Sequence, residues 1–98
     1  MKILITAGKS ALALKKLNRF DQYQVVLADY GEVPLLFSKH YQLISLGEKN
    51  KETLAHTLLN HCLNEEITAI LPLQTDEIDA VLKAKTLFNE FGIEVLLP

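Results

Sequence analysis

Short apolar runs alternate with helical segments along the whole chain, and this alternation constrains the fold more than any other feature. Five runs have the composition of β-strands: residues 3–5, 25–28, 41–46, 68–73 and 93–98. The first run, Ile3-Leu4-Ile5, is apolar throughout, as expected of a central parallel strand buried on both faces. Strands that alternate with helices predict a parallel sheet with helices on both sides. We therefore expect an α/β, three-layer, Rossmann-like domain with a five-stranded parallel sheet.

Capping residues mark the predicted helices. Ser10 is the predicted N-cap of a first helix that runs to about Arg19, with Leu14 and Leu17 on its apolar side. Asn50 is the predicted cap of a second helix, whose apolar residues recur along one face. These residues are Leu54, Ala55, Leu58, Leu59, Cys62 and Leu63.

The last predicted helix begins at Thr75 as its N-cap, with three acids in its first turns. Its buried side is predicted to hold Val81, Ala84, Phe88 and Phe91. Gly92 stands where a residue with positive φ usually ends a helix. A fifth strand follows directly.

Composition limits the class of protein. The 98 residues predict one domain, 1–98, and a hydrophobic content of 49% excludes a disordered chain. The net charge of −2 argues against a nucleic-acid-binding protein. Residues 1–40 carry six Lys/Arg against three Asp/Glu, whereas residues 41–98 carry four against nine. Solvated helix faces explain this asymmetry most simply, and the alternative is a dipolar surface that docks another domain.

The single cysteine and the first residues predict a cytoplasmic protein. Cys62 cannot form a disulfide within the chain, and its place in an apolar helical stripe predicts a small buried hydrophobe rather than a nucleophile. Met1-Lys2 leads directly into a strand, which leaves no room for the apolar region of a signal peptide. Because no apolar run reaches the length of a membrane span, we expect no membrane association.

The segment Ala7-Gly8-Lys9-Ser10 contains the Gly-Lys-Ser of a phosphate-binding loop. That loop also needs a glycine five residues before Gly8, where this chain has Ile3 inside a strand. We therefore exclude a nucleotidase of that type. A helix N-terminus with Gly8 and Lys9 beside it can still bind an anion, and the alternative is a glycine required by a tight strand-to-helix turn.

Asp29 lies 21 residues after Gly8, at the end of the second predicted strand. Dinucleotide-binding folds place an acid there to bind a ribose hydroxyl, but the other glycines of their fingerprint are absent. No nicotinamide cofactor is predicted. A turn-forming aspartate is the alternative interpretation of Asp29.

The remaining polar residues form no recognisable catalytic or metal-binding set. His56 and His61 are five positions apart on one helix, so they point in different directions, and His40 lies far from both in sequence. Asp76, Glu77 and Asp79 fall in first helical turns, where acids stabilise the helix dipole. We predict no catalytic residue, no metal site and no cofactor.

Five segments of the chain resemble the N-terminal, or pre-ATP-grasp, domain of ATP-grasp enzymes of the carbamoyl-phosphate-synthase type. They are residues 2–14 (KILITAGKSALAL), 25–29 (VVLAD), 37–41 (FSKHY), 70–77 (ILPLQTDE) and 91–98 (FGIEVLLP). The resemblance implies the strand order 3-2-1-4-5, with a crevice between strands one and four. Residues 7–10 and 74–76 would line this crevice, with Asp29 nearby. The implied ligand-binding residues are Gly8, Lys9, Ser10, Asp29, Gln74, Thr75 and Asp76.

The resemblance also implies what the domain does. In that family, ATP-binding lobes supply the lysines that hold nucleotide phosphates and the carboxylates that hold magnesium, and no part of this chain resembles them. We therefore expect a domain that is non-catalytic alone and binds a small ligand or docks a separately encoded ATP-grasp subunit. Two alternatives remain open: a small α/β enzyme acting on a small acid or nucleotide, and a homo-oligomeric structural module such as a homodimer.

Overall fold

Parallel strands pair in the order β3-β2-β1-β4-β5 in the computed structural model, which describes residues 1–34 and 41–98. The strands are β1 (Lys2–Ile5), β2 (Gln24–Asp29), β3 (Tyr41–Ser45), β4 (Ala69–Leu71) and β5 (Glu94–Val95). All four pairings are parallel, with Leu4 of β1 opposite Val26 of β2 and Ile70 of β4. The predicted α/β fold and strand order are confirmed. His40 and most of the segment 37–41 lie outside the described residues.

Helices cover both faces of the sheet, because successive strand side chains point to opposite sides. On one face, α1 (Ala11–Lys16) and the 3-10 turn Leu17–Phe20 pack on Ile3, Ile5 and Leu27. On the other face lie α2 (Leu54–Asn64), which a 3-10 turn (Lys51–Thr53) precedes, α3 (Thr75–Lys83) and α4 (Lys85–Glu90). They bury Leu4, Val26 and Ile70. The predicted three-layer arrangement is therefore confirmed.

The central position of β1 explains its composition. Ile3, Leu4 and Ile5 are all fully buried, since β2 and β4 flank them and helices cover both faces. Burying such a side chain contributes about 1.5–3 kcal/mol to the free energy of unfolding. This strand places the turn that follows it at the middle of the sheet edge.

The last helix differs from its prediction in three ways. It is two helices, α3 and α4, because the backbone at Ala84 (φ −103°, ψ 14°) leaves helical geometry. The N-cap of α3 is Gln74 rather than Thr75. Phe91 was predicted to be buried but is 53% exposed, because α4 ends at Glu90 and Phe91 is its C-cap. Gly92 has φ +75° and ends the helix as predicted.

Other predicted boundaries also shift. The first α-helix ends at Lys16 instead of near Arg19, and Leu14 is exposed while Ala13 is its buried residue. Leu63 of α2 is exposed as well. β4 is shorter than residues 68–73, in line with Pro72, which has no N–H to donate to a neighbouring strand.

Within the described residues, no helix combines the length and the apolar character needed to cross a membrane.

Two phenylalanines of the C-terminal part provide a matched test of this packing. Phe88 is fully buried against the α2–α4 side of the sheet, whereas Phe91 is 53% exposed. We expect Phe88→Ala to lower the free energy of unfolding by about 3–5 kcal/mol, since it leaves a cavity in the core. Phe91→Ala is expected to cost about 0.5 kcal/mol or less. Urea unfolding of both variants measures the difference, and equal losses would contradict this packing.

Candidate functional site

The predicted binding residues all lie at the edge of the sheet where β1, β2 and β4 end. Gly8, Lys9 and Ser10 follow β1, Asp29 ends β2, and residues 74–76 follow β4. Thr6 joins the first and fourth strands at this edge. It is fully buried, its amide donates to the Leu71 carbonyl (3.2 Å), and its Oγ1 accepts from the Leu73 amide (2.8 Å). Thr6 thereby fixes the two sides of the predicted crevice, a role that the sequence analysis missed.

Gly8 is held tightly against β2. Its N–H donates to the Ala28 carbonyl at 2.9 Å. A Cβ atom at position 8 would stand 2.9 Å from the Ala28 nitrogen, the Leu27 Cβ and the Leu43 Cδ1. The tight-turn interpretation therefore accounts for this glycine without a ligand.

The same turn begins α1. The Ser10 Oγ accepts from the Ala13 amide (3.2 Å) and donates to the Ala7 carbonyl (2.6 Å), which confirms the predicted N-cap. Ala7 has φ 53°, a left-handed conformation that costs on the order of 1 kcal/mol in a non-glycine residue. Strain at Ala7 and close packing at Gly8 give the turn one fixed shape.

Asp29 connects the turn after β1 to the loop after β2. Its Oδ2 accepts from the Lys9 amide (3.0 Å) and its Oδ1 accepts from the Tyr30 amide (2.8 Å). The Lys9 ammonium extends along the same loop and donates to the carbonyls of Tyr30 (3.0 Å) and Glu32 (3.3 Å). These contacts match the turn-forming interpretation of Asp29. They also hold the Lys9 ammonium on the loop that follows Asp29.

A second lysine of this edge, Lys49, contacts the start of α3. The Lys49 ammonium is 2.7 Å from the Asp76 Oδ2 and donates to the Gln74 Oε1 at 2.9 Å. It also stands 5.2 Å from the centre of the Tyr30 ring, within cation–π range. The hydrogen bond from Lys49 lowers the pKa of Asp76. Lys49 comes from the loop after β3 and was not among the predicted site residues.

A buried carboxylate at this edge accepts a hydrogen bond from Tyr30. The Glu77 side chain is fully buried. Its Oε2 accepts from the Tyr30 hydroxyl (2.6 Å) and its Oε1 from the Gln74 amide (3.2 Å), so that it also caps α3. Burial, together with the hydrogen bond to Glu77, raises the pKa of Tyr30 above its ordinary value. Glu77 follows the N-cap Gln74 by three residues, which is the spacing of a capping box. This spacing was the one sequence signal that Glu77 caps α3.

Tyr30 and Cys62 both hold their protons at neutral pH. The phenol of Tyr30 stays protonated at neutral pH, and burial raises the pKa of the Cys62 thiol to about 12. Cys62 is fully buried, which confirms its interpretation as a small core residue. His56 is exposed and His61 is half-buried. In residues 1–34 and 41–98, no three His, Cys, Asp or Glu residues are grouped to hold a metal ion.

A hollow of about 230 Å³ lies on the α1 side of the sheet. Its lining is mainly apolar, from Leu14, Leu27, Pro34, Tyr41 and Leu43, with Gly8 and Lys9 at the end nearest the turn. It is therefore separate from the group formed by Tyr30, Lys49 and Glu77, which packs on the α2–α4 side.

Fold and edge geometry together define a Rossmann-like α/β domain with an ordered polar carboxyl edge. Neither a protein-family model nor a curated protein matches this chain. The resemblance to pre-ATP-grasp domains stays a prediction.

The close packing of Gly8 can be tested by adding one methyl group. Gly8→Ala places a Cβ 2.9 Å from backbone and side-chain atoms of β2 and β3, and overpacking of this kind costs about 1–3 kcal/mol. Gly31→Ala is the matched control, since its Cβ meets nothing within 4 Å and only its φ of +70° is unfavourable. We expect the larger loss of unfolding free energy for Gly8→Ala in urea titrations. A larger loss for Gly31→Ala would contradict the proximity of the turn to β2.

Removing the Tyr30 hydroxyl tests the buried contact with Glu77. Tyr30→Phe leaves a buried carboxylate with one donor fewer, which costs about 2 kcal/mol at neutral pH. Tyr23→Phe is the control, because the Tyr23 ring packs edge-on against Phe20 and is only half-buried. We expect a much smaller loss for this variant.

The stability difference between the native protein and Tyr30→Phe should also depend on pH. The folded-state pKa of Tyr30 is raised above 10.0, so the folded protein keeps a proton that the unfolded chain loses. The stabilisation from the Tyr30 hydroxyl is therefore complete below about pH 10 and declines above it. Urea unfolding at about pH 7 and about pH 11 should show the advantage of the native protein over Tyr30→Phe shrinking. An advantage that grows with pH would show the opposite pKa shift.

Proposed function

We propose that this domain is a non-catalytic, small-molecule-binding accessory domain related to the N-terminal domain of ATP-grasp enzymes. The observation that carries the proposal is the geometry of the sheet edge. The β1–α1 turn and the start of α3 follow the neighbouring strands β1 and β4, and the buried Thr6 joins β1 to the β4 exit. Open parallel α/β sheets usually bind their ligands beyond the carboxyl ends of such strands.

The charges at this edge favour a ligand that carries both an anionic and a cationic group. Lys9 and Lys49 offer ammonium groups at the rim, and the start of α3 favours negative charge. Asp29 and Asp76 are half-buried carboxylates that oppose a highly charged anion. An amino acid fits this mixture better than a polyphosphate. The binding residues of this proposal are Gly8, Lys9, Ser10, Asp29, Gln74, Thr75 and Asp76.

A non-catalytic role agrees with the protonation states of the buried groups. An enzyme acting unaided on a small acid would need a base next to a nucleophile. The raised pKa values of Tyr30 and Cys62 keep both groups neutral, and the two oxygens of Glu77 already accept hydrogen bonds that hold α3. These contacts favour the accessory role over the alternative of a small α/β enzyme.

The relation to ATP-grasp enzymes is supported by the strand order 3-2-1-4-5 together with the quoted segments around the sheet edge. In this proposal, the lysines for nucleotide phosphates and the carboxylates for magnesium come from ATP-grasp lobes outside these 98 residues. A homo-oligomeric structural module would need no ligand at the edge. A ligand titration therefore distinguishes such a module from a ligand-binding domain.

We expect amide chemical shifts to change at residues 8–10 and 74–76 when the labelled protein is titrated with a panel of amino acids. Inorganic phosphate and Mg-ATP are the comparison ligands, and Mg-ATP should not bind with micromolar affinity. Lys49→Gln should weaken amino-acid binding about threefold to tenfold through the loss of one charge. Lys85→Gln is the matched control, since Lys85 is exposed on α4.

Two outcomes would overturn the proposal. Shift changes confined to the opposite edge, around residues 18–24 and 64–67, would place the ligand elsewhere. Tight Mg-ATP binding by this chain would restore the enzyme alternative.

A further inference from the structure

Tyr30 contacts four charged residues of the sheet edge, each through a different group. Its N–H donates to the Asp29 Oδ1 (2.8 Å), and its carbonyl accepts from the Lys9 ammonium (3.0 Å). Its hydroxyl donates to the Glu77 Oε2 (2.6 Å), and the Lys49 ammonium stands 5.2 Å from the centre of its ring. Lys9 and Asp29 shape the β1–α1 side of the candidate site, whereas Glu77 and Lys49 belong to the α3 side. Tyr30 therefore connects the two sides.

The Tyr30 ring is held in one orientation. The hydrogen bonds of the backbone N–H and of the hydroxyl fix the residue at both ends. Between them, the half-buried ring packs against the core cluster on the α2–α4 side, which includes Val26, Leu58 and Ile70. An aromatic side chain of this kind loses little conformational freedom when it is fixed, because only two χ angles are restrained. The ring therefore presents a rigid surface at the edge of the sheet.

The Lys49 side chain is long, flexible and partly exposed. The side chains of Lys49 and Asp76 are 30% and 32% exposed, and their ion pair of 2.7 Å lies at the rim of the site. An ion pair between two exposed side chains gains little stability, because ordering both side chains offsets most of the attraction. A lysine also loses more rotamer freedom than most residues when it is held in one place. A further contact is therefore needed to keep this ammonium in position.

The Tyr30 ring provides that contact. The loops that carry Tyr30 and Lys49 are joined by a hydrogen bond from the Gly31 amide to the Gly47 carbonyl (2.8 Å). The Lys49 side chain therefore starts from a loop that is fixed beside the ring. An aromatic ring favours a nearby ammonium by about twofold to fivefold at an exposed site.

We propose that Tyr30 is a positioning residue of the candidate ligand site, whose ring holds the Lys49 ammonium where the carboxylate of an amino acid binds. A lysine ammonium has three N–H donors. Lys49 uses two of them on Asp76 and Gln74, so the third can bind a ligand while the ammonium stays on the ring. The Tyr30 hydroxyl acts separately, since it stabilises the fold through Glu77. The inference rests on the ligand-binding role proposed above and names a residue that sets the affinity through Lys49.

Two substitutions at position 30 separate the ring from the hydroxyl. Tyr30→Phe and Tyr30→Leu both remove the hydrogen bond to Glu77, so a difference between them reports on the ring. The first measurement needs no ligand and follows the pKa of the Asp76 carboxyl through its carbon chemical shift. The hydrogen bond from Lys49 lowers this pKa, and Lys51, which also lowers it, is unchanged in every variant. We expect Tyr30→Phe to keep the lowered pKa and Tyr30→Leu to raise it towards that of Lys49→Gln.

The second measurement is the amino-acid titration at residues 8–10 and 74–76. We expect Tyr30→Phe to retain the native affinity, and Tyr30→Leu to bind about twofold to fivefold more weakly than Tyr30→Phe. In the Lys49→Gln background, Tyr30→Phe and Tyr30→Leu should bind equally, because the ring acts through the ammonium that this background lacks. A residue that only stabilised the fold would change neither the Asp76 pKa nor this difference in affinity.

Circular dichroism and urea unfolding show whether each variant is folded. If Tyr30→Leu does not fold, Tyr30→Met takes its place in both measurements. The flexible methionine side chain fills irregular gaps in a core without offering a ring.

Three results would overturn the inference. They are an Asp76 pKa that is equal in Tyr30→Phe and Tyr30→Leu, a loss of affinity that Tyr30→Phe shows in full, and a loss in Tyr30→Leu that persists in the Lys49→Gln background. Failure of the proposed function gives a different result. The native protein would then bind no amino acid, while the Asp76 titration would still show whether the ring holds Lys49.

Discussion

A buried carboxylate organises the carboxyl edge of this sheet. Glu77 is fully buried, and a buried charge is strongly destabilising unless hydrogen bonds compensate it. The Tyr30 hydroxyl and the Gln74 amide supply these hydrogen bonds, so the end of β2 and the start of α3 are held across the end of β1. Lys49 joins the loop after β3 to the same group through Asp76 and Gln74. The α3 side of the candidate site therefore owes its shape to Glu77 and its donors.

Asp29, at the end of β2, also accepts hydrogen bonds from two neighbouring groups. It accepts the amides of Lys9 and Tyr30. Because Asp29 and Asp76 are bound within the protein, a ligand meets a preformed set of groups and does not have to order them, which lowers the cost of binding. A preformed edge of this kind supports the ligand-binding role that we propose.

Local sequence signals predicted the layers and several caps, but contacts between distant residues escaped them. The apolar run at residues 3–5 predicted a central strand, and Ser10 and Gly92 predicted helix ends, because caps depend on neighbouring residues. Tyr30 and Glu77 are 47 positions apart, and only the fold brings them together. Phe91 was wrongly placed in the core because α4 ends at Glu90, so the helical spacing that buries Phe88 does not extend to Phe91.

Leu14 of α1 was wrongly placed on the apolar side for a related reason. Helical spacing assigns Leu14 to an apolar side, but the sheet beneath α1 is already covered by Ala13 and Phe20. Ser10 caps α1 and ends the turn in which the Lys9 amide binds Asp29. Strain at Ala7 and close packing at Gly8 hold residues 7–10 in one conformation, so a ligand at the candidate site would meet a turn that needs no further ordering.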